Sequence, residues 1–284
     1  MIRLDAATVL LQWSVGGLLF LWVTTRRREV SLGYGWLLRG TYLLMAVGAL
    51  VTGLRYGEDV IVRDLASAAV VLASGAAFVV SVLRRAAGVS GEHEVADQRS
   101  ARVTAMTGID RAREGRDLAA AEFPPTLDLI APVVGLVGLA AAGIAAGDPA
   151  LLSVARVVVG AAFLGAVTDA MLLGHWYLVQ PGMPRGPLLD LVRWLAVMWP
   201  FEILVLLWPT GMVSVINGSI DDGYKGLMGW FWIACAVSTI ILVAVTRAAL
   251  KERQYSAVMA ATGLLYLAIL TAFGTDLVAR AVLA

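Results

Sequence analysis

Long apolar runs broken by short charged turns set the pattern of this chain. A helix rising 1.5 Å per residue needs about 20 apolar residues to cross about 30 Å of hydrocarbon. Eight stretches meet that length: Leu4–Thr25, Gly33–Leu54, Val60–Leu83, Leu127–Ala146, Leu151–Val179, Leu188–Trp208, Leu227–Thr246 and Tyr255–Phe273. The pattern predicts an all-α, polytopic transmembrane bundle of about eight helices, one integral membrane domain over residues 1–284. The first run is longer than a signal-peptide core and has no A-x-A-like site before its arginines, so it is read as a retained span.

Composition agrees with that pattern. The chain is 60% hydrophobic and 15% charged, with a mean hydropathy of +0.81. A soluble domain is about half apolar and a quarter charged. The 22 basic and 21 acidic residues leave a net charge of +1, which creates no field for nucleic acid and removes DNA and RNA as partners. The lone Cys235 excludes a disulfide framework, and a four-cysteine zinc or iron–sulfur site built by this chain alone.

Lysine and arginine resist translocation, so their distribution orients the spans. One side collects fourteen: Arg26, Arg27, Arg28, Arg84, Arg85, Arg99, Arg102, Arg111, Arg113, Arg116, Arg185, Arg247, Lys251 and Arg253. The other has six: Arg3, Arg55, Arg63, Arg156, Lys225 and Arg280. The richer side is assigned to the cytoplasm. An even number of spans then puts both termini on the non-cytoplasmic side of a multi-pass protein of the cell membrane.

The charged segment 86–126 is therefore a cytoplasmic loop. Within it Val95, Val103, Met106 and Ile109 recur among Asp97, Arg99, Arg102, Asp110 and Arg113, the pattern of a surface helix near the headgroups. Such a helix needs no partner, although the loop also offers a docking site for a soluble subunit. Arg39 and Arg193 lie early in the second span of each half, and Arg84 and Arg247 close the third, which suggests a weak 4+4 duplication. Gly143 and Gly147 have G-x-x-x-G spacing, a packing device.

Candidate chemistry concentrates in Thr168–Pro187, TDAMLLGHWYLVQPGMPRGP. His175 is the one histidine inside a span, near its cytoplasmic end, beside Trp176 and Tyr177, residues that also suit an aromatic belt. At about 100° per residue, His175 shares a face with Met171 and Thr168, and Asp169 lies on another. His175, Tyr177, Arg185 and Arg193 could together form a site for a quinone head group. Haem is the weaker cofactor assignment: Met171 or Met183 could pair with His175, but a bis-histidine site would need a second chain.

Asp169, Glu202 and Arg39 are the intramembrane charges. A carboxylate at that depth is costly unless paired, protonated or facing a cavity. For Asp169 the expectation is an interhelical salt bridge, with Arg39 as one candidate partner. Glu202 follows Pro200, a kink-forming residue, and is a candidate cavity-lining group. Asp190 and Arg193, spaced i, i+3, are expected to pair. Asp221 and Asp222 sit in a polar outer loop above an aromatic stretch.

The chain has no Walker, H-E-x-x-H or G-x-S-x-G motif and no cysteine pair, which removes support for ATP-driven transport, zinc proteolysis, serine hydrolysis and thiol exchange. Neither does any nucleophile–base spacing define an enzyme. The reading favoured by the sequence is a membrane subunit of an electron-transfer, respiratory-type assembly with a cytoplasm-facing quinone site. The alternatives are a transporter or permease marked by Asp169 and Glu202, and a structural or assembly subunit.

Overall fold

The computed structural model describes residues 2, 4–57, 59–107, 121–180, 183–208 and 211–284. Its helices are α1 (Ala6–Thr25), α2 (Leu32–Tyr56), α3 (Ile61–Leu83), α4 (Ser90–Thr107), α5 (Ile130–Ala145), α6 (Ala150–Val179), α7 (Gly186–Leu207), α8 (Met212–Ile216), α9 (Leu227–Lys251) and α10 (Tyr255–Val282). A 3-10 turn, Pro125–Leu129, leads into α5. Seven of these helices, counting that turn with α5, are long and apolar enough to cross a membrane. The eighth long helix, α7, has 22 residues and carries Asp190, Arg193 and Glu202. The protein is thus a polytopic helical bundle of about eight spans. Leu44, Leu72 and Leu270 are exposed on its outside, where lipid replaces water as the solvent.

Helices α1, α2, α3 and α5 close one ring of neighbours, and α6, α7, α9 and α10 close another; α1 and α6 join the two. Their junction is backbone on backbone. A Cβ built on Gly165 would lie 2.2 Å from the Gly16 carbonyl carbon, and one on Gly16 would lie 1.8 Å from the Ala161 oxygen. Small residues permit this approach, which replaces a hydrophobic drive with close packing. Gly143 serves α5 similarly, against the Val154 backbone. Gly147 lies beyond the end of α5 with φ 120°, so it belongs to a turn rather than to a G-x-x-x-G face.

The boundaries show what the apolar count overlooked. The last helix runs nine residues past Phe273, to Val282, because Asp276 and Arg280 pair at i, i+4 (Nε–Oδ2 2.7 Å) with both side chains fully buried. Arg63, Arg156 and Arg280, counted above on the side poorer in basic residues, are all buried within helices. Arg156 donates to the carbonyls of Val205 (2.8 Å) and Trp208 (3.2 Å), closing the C-terminal end of α7. Helix α4 occupies part of the segment expected to hold a surface helix, and its Met106 is exposed. Ile109, Asp110 and Arg113 lie outside the described residues.

Candidate functional site

Buried polar clusters lie on both sides of the Gly16–Gly165 crossing. Toward the end where α2 begins and α6 finishes, Tyr42 of α2 donates its hydroxyl to Oδ1 of Asp169 on α6. Tyr34 donates to the Asp169 backbone carbonyl at 3.4 Å. Gly17 makes room for the Tyr42 ring, which a Cβ there would meet at 2.0 Å. Asp169 is fully buried and its Oδ2 has no hydrogen-bond partner. The expected salt bridge is therefore replaced by a phenol.

Arg39 does not reach Asp169. Its guanidinium grips Asp128 at two points, Nε–Oδ1 and Nη2–Oδ2 both at 2.7 Å, and donates to Ser81 at 3.0 Å. Its Cζ lies 4.2 Å from the Phe123 ring centroid. Thr25 also donates to Asp128, at 3.2 Å. This knot ties α1, α2 and α3 to the turn before α5, and its groups are engaged with one another.

The second cluster lies toward the end that holds both chain termini. Arg280 donates to Asp276 and also to Oε1 of Gln12 on α1. Gly160 of α6 leaves the space they occupy: a Cβ there would be 2.3 Å from Gln12 Nε2 and 2.9 Å from Asp276 Oδ1. Those two atoms have no hydrogen-bond partner, and neither does either carboxyl oxygen of Glu202, which is fully buried on α7. Glu202 faces Asp276 and Arg280, and a hydrogen bond between the two carboxyls forms only when one of them carries a proton.

Beyond Arg280 a cavity of about 520 Å³ opens between the ends of α1, α2, α3, α5, α6 and α10. Asp5, Thr8, Thr52, Arg63 and Arg280 supply its polar lining. Arg63 is held there by Asp5 (2.7 Å) and Asp64 (2.8 Å), and Asp5 also accepts from the Ala7 and Thr8 amides that begin α1.

Of the residues read as a quinone pocket, Tyr177 and Arg185 lie near each other at the start of α7, while His175 and Arg193 are exposed on the outside of the bundle. His175 is exposed on the outside of α6, its Nδ1 3.0 Å from the hydroxyl of Tyr266 on α10. Tyr177 is buried, with its hydroxyl on the Pro184 carbonyl. Arg185 donates to carbonyls at the end of α9 and in the turn that follows, among them Leu250 (3.2 Å) and Gln254 (2.9 Å). Arg193 is exposed on α7. Asp190 is paired not with Arg193 but with Arg27 beyond α1, at 2.7 Å; the contact between α1 and α7 places Arg27 within its reach.

Sequence reading missed Gln12, Tyr42, Asp128, Asp276 and Arg280. The first is a lone amide in an apolar run, and the last two have the i, i+4 spacing of an ion pair directly after one. Both signals are legible in retrospect. In the α8–α9 connection, Asp221 accepts from Gly223 N at 2.9 Å, and Asp222 from the amides of Tyr224, Gly226 and Met228. Among the described residues no His, Cys, Asp and Glu cluster could hold a metal.

Fold and buried charge define an integral membrane protein with ionisable groups inside its span. No protein-family model, curated protein or solved structure matches the chain.

Proposed function

We propose that the chain is a proton-coupled transporter of the cell membrane, with Glu202 and Asp276 as its proton-binding pair. One observation carries this reading: Glu202 is fully buried with both oxygens unbonded, beside an Asp276–Arg280 pair that already balances its own charge. A second carboxylate beside that pair would add a net buried charge, which a membrane interior opposes strongly. A proton on Glu202, shared toward the open Oδ1 of Asp276, removes that charge. The cavity beyond Arg280 supplies a wet approach from one face, and Asp169 with Tyr42 supplies a second protonatable site across the glycine crossing. Transporters commonly place such sites between repeated halves; the two four-helix rings support a 4+4 duplication as that architecture.

The test is a pH jump applied to proteoliposomes on a solid-supported membrane. Wild type is expected to give a transient charge displacement, and Glu202→Gln to lose it by at least about tenfold. Glu202→Met, which carries no proton and no hydrogen-bonding group, should lose the signal as well. A transient equal in Glu202→Gln and wild type, or absent above empty liposomes, overturns the proposal.

A second reading, a quinone-binding subunit of an electron-transfer assembly, is favoured by one feature: His175 and Tyr266 present a hydrogen-bonded imidazole–phenol pair on the exposed outside of the bundle. A head group arriving from the lipid would meet these two side chains, without Tyr177 or Arg185. Segment 86–126 would then dock the soluble partner. Stoichiometric quinone in an extract of the purified protein, lost in His175→Ala, supports this reading; a quinone-free wild type removes it.

A further inference from the structure

Helices α7 and α9 are bound through Trp199, whose indole N–H donates to the Ala236 carbonyl at 2.9 Å. Below that contact, toward the end richest in basic residues, a cleft of about 600 Å³ opens to the outside of the bundle. Its wall includes Ala196 of α7 and Ile240 and Val243 of α9; Arg247, Lys251 and Glu252 line its mouth. Ile240, Val243, Arg247 and Lys251 follow one helical stripe, apolar at depth and cationic at the end. Both cations are exposed and neither is in an ion pair among the described residues. Arg193, also exposed, lies one turn cytoplasmic of Ala196 on the facing helix. Glu252 offsets one of these three positive charges.

We propose that this cleft binds an anionic phospholipid, with its phosphate at Arg247 and Lys251 and an acyl chain along Ala196, Ile240 and Val243. Polarity and dimensions both fit. From Ile240 to Lys251 a helix rises about 16 Å, close to half of a hydrocarbon core of about 30 Å. The charged mouth therefore meets the headgroups while the apolar wall spans one leaflet. Basic recesses between membrane helices on the cytoplasmic side are suited to acidic headgroups, and the net positive mouth disfavours a zwitterionic lipid relative to an acidic one. The inference is independent of the proton-coupled reading.

Native mass spectrometry of the purified full chain tests it, using dioleoyl phosphatidylglycerol and dioleoyl phosphatidylcholine as probes. Wild type is expected to retain one phosphatidylglycerol at about tenfold lower lipid concentration than phosphatidylcholine. Arg247→Gln with Lys251→Gln should erase that preference, whereas Arg85→Gln, an exposed charge elsewhere on the same face, should keep it. Ala244→Trp, which fills the cleft and leaves both cations, should weaken retention of phosphatidylglycerol. Equal retention of the two lipids by wild type, a preference surviving the double substitution, or displacement of the lipid by millimolar inorganic phosphate overturns the proposal.

Discussion

Arg39 and Asp128 illustrate how a charge survives inside the bundle. Each carboxylate oxygen accepts a guanidinium N–H at 2.7 Å, and Ser81, Thr25 and Phe123 occupy the remaining approaches. Removing one member strands the other, which costs about 3–5 kcal/mol in a buried pair. Asp128→Ala is accordingly expected to lower the thermal midpoint sharply in detergent, and an unchanged midpoint would refute this role. Asp222 makes the opposite kind of contribution, at the surface. Hydrogen bonds from the backbone N–H of Gly226, and from those of Tyr224, Met228 and Gly229, hold its carboxyl below the usual aspartate range. A depressed value means that its support for the start of α9 is present above about pH 4 and is lost as pH falls through the lowered value. Protection factors of amides 224–229 against hydrogen exchange should therefore fall below about pH 4, and Asp222→Ala should show the lowered protection at neutral pH as well. The indifference of those amides to the substitution would count against the cap.

At the scale of elements, α1 and α6 are matched by what they lack. A Cβ on Gly165 would have to displace the Gly16 backbone, 2.2 Å away, and backbone yields less readily than a flexible side chain. Gly165→Ala is expected to cost about 1–3 kcal/mol, the usual range for overpacking, read as a lower unfolding midpoint. A midpoint within error of wild type would show that the helices can part without loss. Element existence was legible from length and hydropathy, but element ends were not. The apolar run stops at Phe273, whereas α10 continues through Asp276 and Arg280, because hydropathy scores each charge alone and not the neutral pair they form. The same blindness left Arg280 outside every expected span. It also paired Asp190 with Arg193 by spacing, when a closer cation, Arg27, arrives from another part of the chain.

For the whole molecule, moving Arg63, Arg156 and Arg280 into the bundle sharpens the charge asymmetry, since fewer basic side chains then remain on the poorer side. The resulting topology is open to direct measurement. In a Cys235→Ser background, Ser219→Cys in the α8–α9 connection should react with an impermeant thiol reagent from outside intact cells, and Arg253→Cys in the α9–α10 turn should react only after lysis. The reverse pattern would invert the assigned orientation. The single native thiol is buried, so the background substitution removes little that could confuse the readout.

The all-helical, multi-pass character and the approximate number of long apolar helices were determined by the sequence alone, because the cost of placing backbone and charge in hydrocarbon acts on each segment separately and reads out as run length. Which polar groups meet was decided only by the tertiary structure. Asp169 with Tyr42, Arg39 with Asp128, and Gln12 with Arg280 are joined across 127, 89 and 268 positions of chain, far beyond any local spacing. His175, the most conspicuous residue of the apolar pattern, faces outward beside Tyr266. Glu202, one carboxylate among several, is the group left buried without a partner on either oxygen. Periodicity can place a side chain on a face of its helix, but packing against other helices decides whether that face meets lipid, a counter-ion or an unmet charge.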